Sequence, residues 1–297
     1  MPMARIAHLS DIHFGAHDPR IVSATEAWLN ARQPDLIIVS GDFTQRARIA
    51  QFRAAAAYLG RLGQAGHKLL VVPGNHDIPL YDVATRFLAP LHRYKRYISS
   101  TLCPWFENEE VAVLGLNTAR SLTIKDGRIN RDQIALMHDR FRGVAAAKIR
   151  ILVTHHPLFA MPIGRGGELS EAVGRHDNAV QAACAAGVHI ALAGHFHRTY
   201  AEEARKMVAK AGGALVIQAG TATSTRLRNE EPQSFNWIRT NGSGDIELQV
   251  VVWNGSGFTR GDHIRYLLSE GVWARHDCSK AHAREAGAER RISDATG

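Results

Sequence analysis

Short apolar runs alternate with amphipathic segments along residues 5–193, and this alternation predicts strands followed by helices. Several runs, such as Leu36–Val39, are apolar on both faces and rich in β-branched residues. That pattern is typical of central strands covered on both sides. The predicted strands of this part are 5–9, 36–39, 69–72, 111–116, 149–153 and 188–193, and the predicted helices are 21–31, 46–62, 130–141 and 177–186.

Residues 78–109 interrupt this rhythm. Because Pro90 disfavours a helix interior, we expect two short helices here, with Pro90 opening the second. The second helix carries Arg93, Lys95 and Arg96 beside apolar residues. Such a helix suits either a half-buried surface or a basic face turned toward a membrane or a ligand. We interpret the segment as a helical insertion or lid.

The chain beyond residue 200 predicts further strands at 214–218, 235–239 and 246–252. In the last of these, apolar residues alternate with polar ones, which indicates a strand covered on one face only. Residues 274–297 are polar and charged, so we expect a helical or loose tail. The sequence therefore predicts an α/β domain over residues 1–273 and a tail after it.

Composition limits the class of protein. The chain has 297 residues, of which 45% are hydrophobic and 22% charged, as expected for one large globular domain or two modest ones. No apolar run reaches the length of a membrane span, and the N-terminus lacks a secretory apolar region, so we expect a cytoplasmic protein. Three widely spaced cysteines argue against a thiolate zinc site or a disulfide framework. The net charge of +8 favours anionic partners.

Five apolar runs end in residues that can bind a metal ion. In strand–helix–strand proteins, functional groups collect beyond the carboxyl ends of the strands, so we expect these residues in one site. They are Asp11, His13, Asp42, Asn75, His155, His195 and His197. Two carboxylates, one amide oxygen and four imidazoles are too many ligands for one ion and suit two, with a carboxylate such as Asp42 shared between them.

The donor types indicate which ions and which chemistry to expect. Nitrogen and oxygen ligands without sulfur favour manganese, iron, zinc, cobalt or nickel, and four imidazoles argue against magnesium and calcium. Two divalent ions and two carboxylates leave a cationic site, which suits a phosphate ester and the activation of a water molecule. His76 follows Asn75 by one residue, points elsewhere and is available as a general acid. Asp77 either orients His76 or caps the next turn.

Five short motifs, taken together, resemble those of the calcineurin-like metallophosphoesterases. They are Asp11-Ile12-His13, Gly41-Asp42, Gly74-Asn75-His76-Asp77, His155-His156-Pro157 and Gly194-His195-Phe196-His197. They occur in the family's order and span roughly residues 5–200. The resemblance implies a four-layer αββα sandwich, in which two mixed β-sheets are flanked by helices.

The resemblance also implies a role for each motif residue. One metal ion would be held by Asp11, His13, Asp42 and His197, and the other by Asp42, Asn75, His155 and His195. His155 is preferred to His156 because the family's ligand stands two residues before the proline. His76 resembles the family's histidine beside the leaving group. One departure is that Phe43-Thr44-Gln45 follows Asp42, where some members carry acidic or glycine residues.

The chain looks most similar to bacterial class III cyclic-nucleotide phosphodiesterases. We therefore expect hydrolysis of a cyclic nucleotide or related phosphodiester by a metal-activated hydroxide, with manganese or iron favoured and His76 as the acid. Arg120 and His17 are candidate substrate-binding residues. Alternatives are the UDP-acylglucosamine pyrophosphatase of lipid A synthesis, with 78–109 as its lid, a nuclease, and an inactive scaffold of the same fold. A homodimer and a peripheral membrane contact both stay open, and no stable nucleic-acid complex is expected.

Overall fold

The computed structural model describes residues 3–122, 126–158, 162–163, 168–169, 176–204, 213–227, 231–242 and 244–277. A 3-10 helix, Asn75–Asp77, follows the third strand. The strands and α-helices of the described residues are, in chain order, β1 (Ala4–Leu9), α1 (Pro19–Arg32), β2 (Leu36–Val39), α2 (Ile49–Gln64), β3 (Leu69–Val71), α3 (Val83–Leu88), α4 (His92–Tyr97), β4 (Trp105–Glu107), β5 (Val111–Gly115), α5 (Arg131–Arg142), β6 (Ile149–Val153), β7 (Pro162–Ile163), β8 (Glu168–Leu169), α6 (His176–Ala185), β9 (Ile190–Ala193), β10 (Tyr200–Glu203), β11 (Leu215–Gln218), β12 (Ser234–Asn241), β13 (Asp245–Trp253), β14 (Phe258–Ser269) and β15 (Val272–Asp277).

Two mixed sheets carry the fold. Within the described residues, the first sheet has the order β15-β14-β13-β12-β1-β2-β3 and the second has the order β10-β11-β9-β6-β5-β4. Strands β1, β2 and β3 are parallel, and β12 runs antiparallel to β1. In the second sheet β5, β6, β9 and β11 are parallel, with antiparallel β4 and β10 at the edges. Because parallel neighbours end at the same edge, the loops after these strands are brought together.

Three buried clusters define the layers between and outside the sheets. Ile6 and Ile38 of the first sheet pack with Val113 and Ile151 of the second, so the two sheets lie face to face. Helices α1 and α2 cover the outer face of the first sheet, and α5 and α6 cover the second. This confirms the predicted four-layer sandwich, and it explains why the central strands are apolar on both faces.

The predicted element bounds differ from the structure in places where local pattern is weak. Helix α2 begins at Ile49, after an extended N-cap residue, rather than at residue 46. Strands β4, β10 and β14 were not predicted, since their apolar spacing is irregular. The tail predicted from residue 274 is corrected as well: β15 runs to Asp277 because residues 272–277 pair with β14, although residues 274–276 are exposed and polar enough to resemble a tail. Residues 278–297 lie outside the described part of the chain.

The segment 78–109 contains the two short helices, α3 and α4, with Pro90 in the turn between them. Helix α4 packs against α2, and its Tyr94 joins the core of the first sheet. No helix in the described ranges is both long and apolar enough to cross a bilayer. The role of this segment as a lid stays a prediction.

Buried histidines away from the predicted ligands give a testable dependence of stability on pH. His8 on β1 is fully buried, with Nε2 2.9 Å from Ser40 Oγ. Burial lowers the pKa of His8 to about 3, against a smaller opposing effect of Asp11. The unfolded chain therefore binds a proton near pH 6.5 that the folded chain excludes, and stability falls as the pH drops through this window.

We expect this histidine to make the protein acid-labile. From pH 6.5 to 5, His8 alone should remove about 2 kcal/mol of the free energy of unfolding. The measurement is urea unfolding at pH 7 and pH 5 of the wild type and of His8→Gln. The variant should lose less stability than the wild type on acidification; parallel losses in the two proteins would contradict the prediction.

Candidate metal centre

The structure brings all seven predicted ligands to one place. Each follows the carboxyl end of a parallel strand: Asp11 and His13 after β1, Asp42 after β2, Asn75 after β3, His155 after β6, and His195 and His197 after β9. Contacts across the two sheets hold these loops together, since His195 N–H donates to Asp11 Oδ2 at 3.0 Å and His155 Nδ1–H donates to the Ser40 carbonyl at 2.7 Å. The meeting of the two sheet edges therefore builds the site.

A first cluster consists of Asp11, His13 and His197. His197 Nε2 lies 3.0 Å from Asp11 Oδ1 and 3.1 Å from His13 Nε2. His13 Nε2 lies 3.5 Å from Asp11 Oδ1. All three side chains are buried or nearly so, and their ligand atoms lie within 4.8 Å of one another. This spacing is suitable for a single metal ion between them.

A second cluster consists of Asn75, His155 and His195. Asn75 Oδ1 lies 3.0 Å from His155 Nε2 and 3.2 Å from His195 Nδ1. Asp42 lies between the clusters, because its Oδ2 is 3.4 Å from His155 Nε2 and 3.7 Å from His13 Nε2. This position is the one expected for a carboxylate that is shared by two metal sites.

The protonation of the imidazoles is compatible with metal ions bound between the clusters. Nδ1 of His13, His155 and His197 faces the backbone carbonyls of Thr44, Ser40 and Arg226, respectively, at 3.4, 2.7 and 3.2 Å. A carbonyl only accepts, so each Nδ1 carries the proton and each Nε2 turns a lone pair inward. Those lone pairs meet each other and a buried Asp11 Oδ1 that has no hydrogen-bond donor in the described structure. Converging acceptors of this kind are stabilised by a bound metal ion.

The charges of the side chains agree with that interpretation. Burial raises the pKa of Asp11, but the imidazoles of His197 and His13 outweigh burial and hold that pKa well below its usual range. Burial also raises the pKa of Asp42, but the imidazoles of His155, His76 and His13 together lower it below its usual range. Burial lowers the pKa of His155, but the carboxylates of Asp42 and Asp11 and the hydrogen bond to Ser40 together raise it to about 9. Both carboxylates are therefore ionised and attract positive charge.

Backbone strain is concentrated on the ligands. Eight non-glycine residues of the described chain have a positive φ, a conformation that L-residues rarely adopt. Five of the eight are predicted ligands: Asp11, His13, Asp42, His195 and His197. Strained residues persist where the surrounding structure over-determines them, and they cluster at functional sites. This observation supports the site independently of its side-chain chemistry.

Two motif glycines allow the loops to approach closely. Gly41 has a φ of +98°, and a Cβ there would lie 2.5 Å from His155 Nδ1. A Cβ on Gly74 would overlap the carboxylate of Asp42. The glycine before each ligand in the Gly41-Asp42 and Gly74-Asn75 motifs is therefore required by space, and in Gly41 also by conformation.

Asp77 ties two ligand loops together and does not orient His76 through its side chain. Its carboxylate accepts hydrogen bonds from the backbone N–H groups of Phe43, Thr44 and Gly74 at 3.3, 3.0 and 3.0 Å, and from the Thr44 hydroxyl at 3.1 Å. All of these donors precede Asp77 in the chain, so its carboxylate joins two loops and, within the described residues, neither orients His76 nor caps the next turn. Asp77 is fully buried, so these donors have no water to replace it.

We therefore expect Asp77→Ala to be strongly destabilising. Three buried N–H groups would lose their acceptor, at about 1 kcal/mol or more each, so the free energy of unfolding should fall by at least about 3 kcal/mol. Urea unfolding of Asp77→Ala and Asp77→Asn measures this, because asparagine keeps one acceptor oxygen and should lose less. Equal stability of Asp77→Ala and the wild type would show that the Asp77 carboxylate does not hold the two loops together.

His76 lies beside the predicted ligands. Its backbone N–H donates to Asp42 Oδ1 at 2.9 Å, and its Nδ1–H donates to the Gln45 carbonyl at 2.8 Å. Its ring packs edge-on against His13 with the centroids 4.9 Å apart. The side chain is half-exposed. This leaves Nε2 for a substrate, which is the geometry that a proton donor needs.

The two predicted substrate residues make other contacts. The Arg120 guanidinium donates to the carbonyls of Asn117 and Ala119 and, at 2.6 Å, to Gln133 Oε1, so it binds its loop to α5. His17 packs against the ring of Phe14 and accepts a hydrogen bond from its own loop. Substrate binding by these residues stays a prediction.

Sequence reasoning missed the side chains that support the ligands. The hydroxyls of Thr221 and Thr223 donate to the carbonyls of Asp11 and Ile12, both at 2.7 Å, and so fix the first ligand loop. His156 lies beside His155 and His195, with Nδ1 2.8 Å from Thr118 Oγ1. The run of hydroxyl residues from Thr221 to Thr225 was the available signal, but a run of that composition is also common in ordinary turns.

The structure thus combines a two-sheet sandwich with nitrogen and oxygen donors that converge beyond its strand ends, an arrangement suited to binding metal ions. The sequence matches the calcineurin-like phosphoesterase family over residues 4–199, and the chain belongs to that family. The comparison with solved structures gives the same fold at low identity. A dimetal phosphatase from Danio rerio has a TM-score of 0.63 at 11% identity, covering 91% of this chain and 100% of the other.

Two further relatives extend the comparison. The purple acid phosphatase of yellow lupin (Lupinus luteus) has a TM-score of 0.62 at 15% identity, covering 87% of this chain and 53% of that protein. A glycerophosphodiester phosphodiesterase of Enterobacter lignolyticus is 35% identical over 83 residues, which is 24% of this chain. The match spans only 29% of that relative's length.

Proposed function

We propose that this protein is a phosphodiesterase with two divalent metal ions, which hydrolyses cyclic nucleotides or related phosphodiesters. The observation that carries the proposal is the position of Asp42, whose Oδ2 lies within 3.7 Å of a nitrogen from each donor cluster. A shared carboxylate between two clusters is the arrangement of a dinuclear site. Manganese and iron are the ions we favour, and the nitrogen and oxygen donors also suit zinc, cobalt and nickel.

The side chains have distinct roles in this proposal. Asp11, His13, Asp42 and His197 hold one ion, and Asp42, Asn75, His155 and His195 hold the other. Bound ions would supply a nucleophile from water at neutral pH and neutralise charge on the phosphate oxygens. The doubly protonated imidazolium of His76 donates a proton from Nε2 to the leaving oxygen, while its Nδ1–H stays bonded to the Gln45 carbonyl and fixes the ring.

A diester substrate is supported by the partial likeness to a glycerophosphodiester phosphodiesterase. The net charge of +8 is favourable to a nucleotide or another anionic ester. A cytoplasmic location and a homodimer remain further predictions for this protein.

A substrate panel tests the proposal. Purified protein is loaded with Mn²⁺ and given bis(p-nitrophenyl) phosphate, cyclic AMP, p-nitrophenyl phosphate, a UDP-acylglucosamine and single-stranded DNA. Hydrolysis of bis(p-nitrophenyl) phosphate and cyclic AMP is expected. Turnover of the monoester alone would overturn the diesterase assignment, and selective turnover of the UDP-linked sugar or of DNA would assign a pyrophosphatase or a nuclease instead.

A further inference from the structure

Exposed apolar side chains are concentrated in one short segment next to the metal centre. Among the described residues, eight large apolar side chains are strongly exposed, and five of them lie within residues 80–88. Leu88 is 86% exposed and Tyr81 71%. We call this set the apolar patch; its members are Leu80, Tyr81, Val83, Phe87 and Leu88. Single exposed apolar residues are ordinary, whereas a contiguous group indicates an interaction surface.

The apolar patch does not contribute to the core of the described structure. Arg86 is the buried residue of α3, and the core next to it is filled by Leu91 and Tyr94 on the other side of the turn. The segment is nevertheless fixed. Asp82 caps α3 through Thr85 N–H at 3.1 Å and pairs with Arg93 at 2.7 Å. The apolar side chains are therefore held outward by a defined local structure.

The sequence segment that contains this patch has a strong excess of positive charge. Residues 43–104 contain nine Lys and Arg but only two acidic residues, Asp77 and Asp82, whereas the whole chain has a net charge of only +8. Asp82 is paired with Arg93, Arg61 is paired with Glu26 from outside the segment, and Arg86 is buried. The six exposed cations of the segment are Arg46, Arg48, Arg53, Lys68, Lys95 and Arg96. Arg46 lies directly on the patch, with its guanidinium 5.6 Å from the centre of the Tyr81 ring.

We propose that the apolar patch and its surrounding cations dock this protein on the surface of an anionic phospholipid membrane. Apolar side chains that enter the interface beside Lys and Arg that meet the headgroups are the recognised combination for such binding. A second copy of the chain fits less well, because two copies joined through this face would oppose like charges. The patch also borders the metal centre, since the Gln45 carbonyl next to Arg46 accepts the hydrogen bond of His76. Docking would bring the metal centre close to the lipid.

Vesicle binding tests the proposal without reference to catalysis. The full chain is sedimented with vesicles of equimolar phosphatidylglycerol and phosphatidylcholine, and with phosphatidylcholine alone. Binding to the anionic vesicles is expected, and it should weaken as salt is added because the charges are screened. The double variant Phe87→Ser/Leu88→Ser should bind at least about tenfold more weakly. Leu122→Ser, which changes a leucine that is 83% exposed outside the patch, is the matched control and should bind like the wild type.

A charge variant keeps the test decisive if the apolar variant is poorly folded. Arg46→Gln/Arg96→Gln should weaken the partition into anionic vesicles about 25-fold, at about fivefold for each charge. Arg131→Gln/Arg142→Gln on α5 removes the same charge from another exposed surface and should have a smaller effect. Equal binding of the patch variants and the wild type, or no binding by the wild type, overturns the proposal. A wild type that dimerises in solution while Phe87→Ser/Leu88→Ser stays monomeric would overturn it in favour of a second copy.

Discussion

Asp42→Ala is expected to lose metal from both clusters and to lower turnover at least about a thousandfold. Asp42 Oδ2 approaches nitrogens of both clusters, at 3.4 Å from His155 and 3.7 Å from His13. Its second oxygen accepts the His76 backbone N–H. Removing the carboxylate therefore takes a predicted ligand from each ion. It also removes the acceptor of the hydrogen bond from the His76 backbone N–H.

Metal analysis of the purified protein and hydrolysis of bis(p-nitrophenyl) phosphate measure the two effects separately. Asp82→Ala removes a carboxylate that lies outside the ligand clusters, and it should retain both ions and the rate. Asp42→Asn keeps the shape but loses the charge, so it should bind less metal than the wild type. A full complement of two ions in Asp42→Ala would show that another residue joins the sites, and the dinuclear interpretation of Asp42 would be wrong.

The elements that could be predicted from the sequence are those with a regular pattern of apolar residues. Leu36–Val39 is buried on both faces between helices and a second sheet, and its composition predicted this directly. The ligand positions followed for a related reason: a polar residue that can bind metal, just after such a run, lies at the edge where parallel strands end. Five such ends in one chain indicated a single site, and the structure places their side chains together.

Other features depend on contacts that no local pattern encodes. Asp11 and Asp42 have a positive φ, and their backbones lie in two loops joined by the hydrogen bonds of Asp11 N–H to the Gly41 carbonyl and of His13 N–H to the Asp42 carbonyl. Asp77 was expected to orient His76 or to cap the next turn, and instead its carboxylate joins its own loop to that of Thr44, which no local pattern indicates. Strand β15 was mistaken for a tail because an edge strand has one exposed face and needs few apolar residues.

His76→Ala should leave both metal ions in place but lower turnover of a nucleoside phosphodiester by about a hundredfold to ten-thousandfold, the usual contribution of a general acid. The ring of His76 is held by the Gln45 carbonyl at 2.8 Å and is half-exposed beside His13. Its contact with Asp42 is made by the backbone N–H, which alanine retains. The metal content of the variant therefore separates proton donation from metal binding.

The leaving group distinguishes a proton donor from a residue that only shapes the site. A departing p-nitrophenolate is far less basic than a ribose alkoxide and needs little help from an acid. His76→Ala should therefore lose much less activity toward bis(p-nitrophenyl) phosphate than toward cyclic AMP, and the ratio of the two rates should rise in the variant. His92→Ala on the exposed start of α4 is the matched control, with an unchanged ratio expected. Equal losses on both substrates would mean that His76 does not transfer the proton, because a purely positional role affects both esters alike.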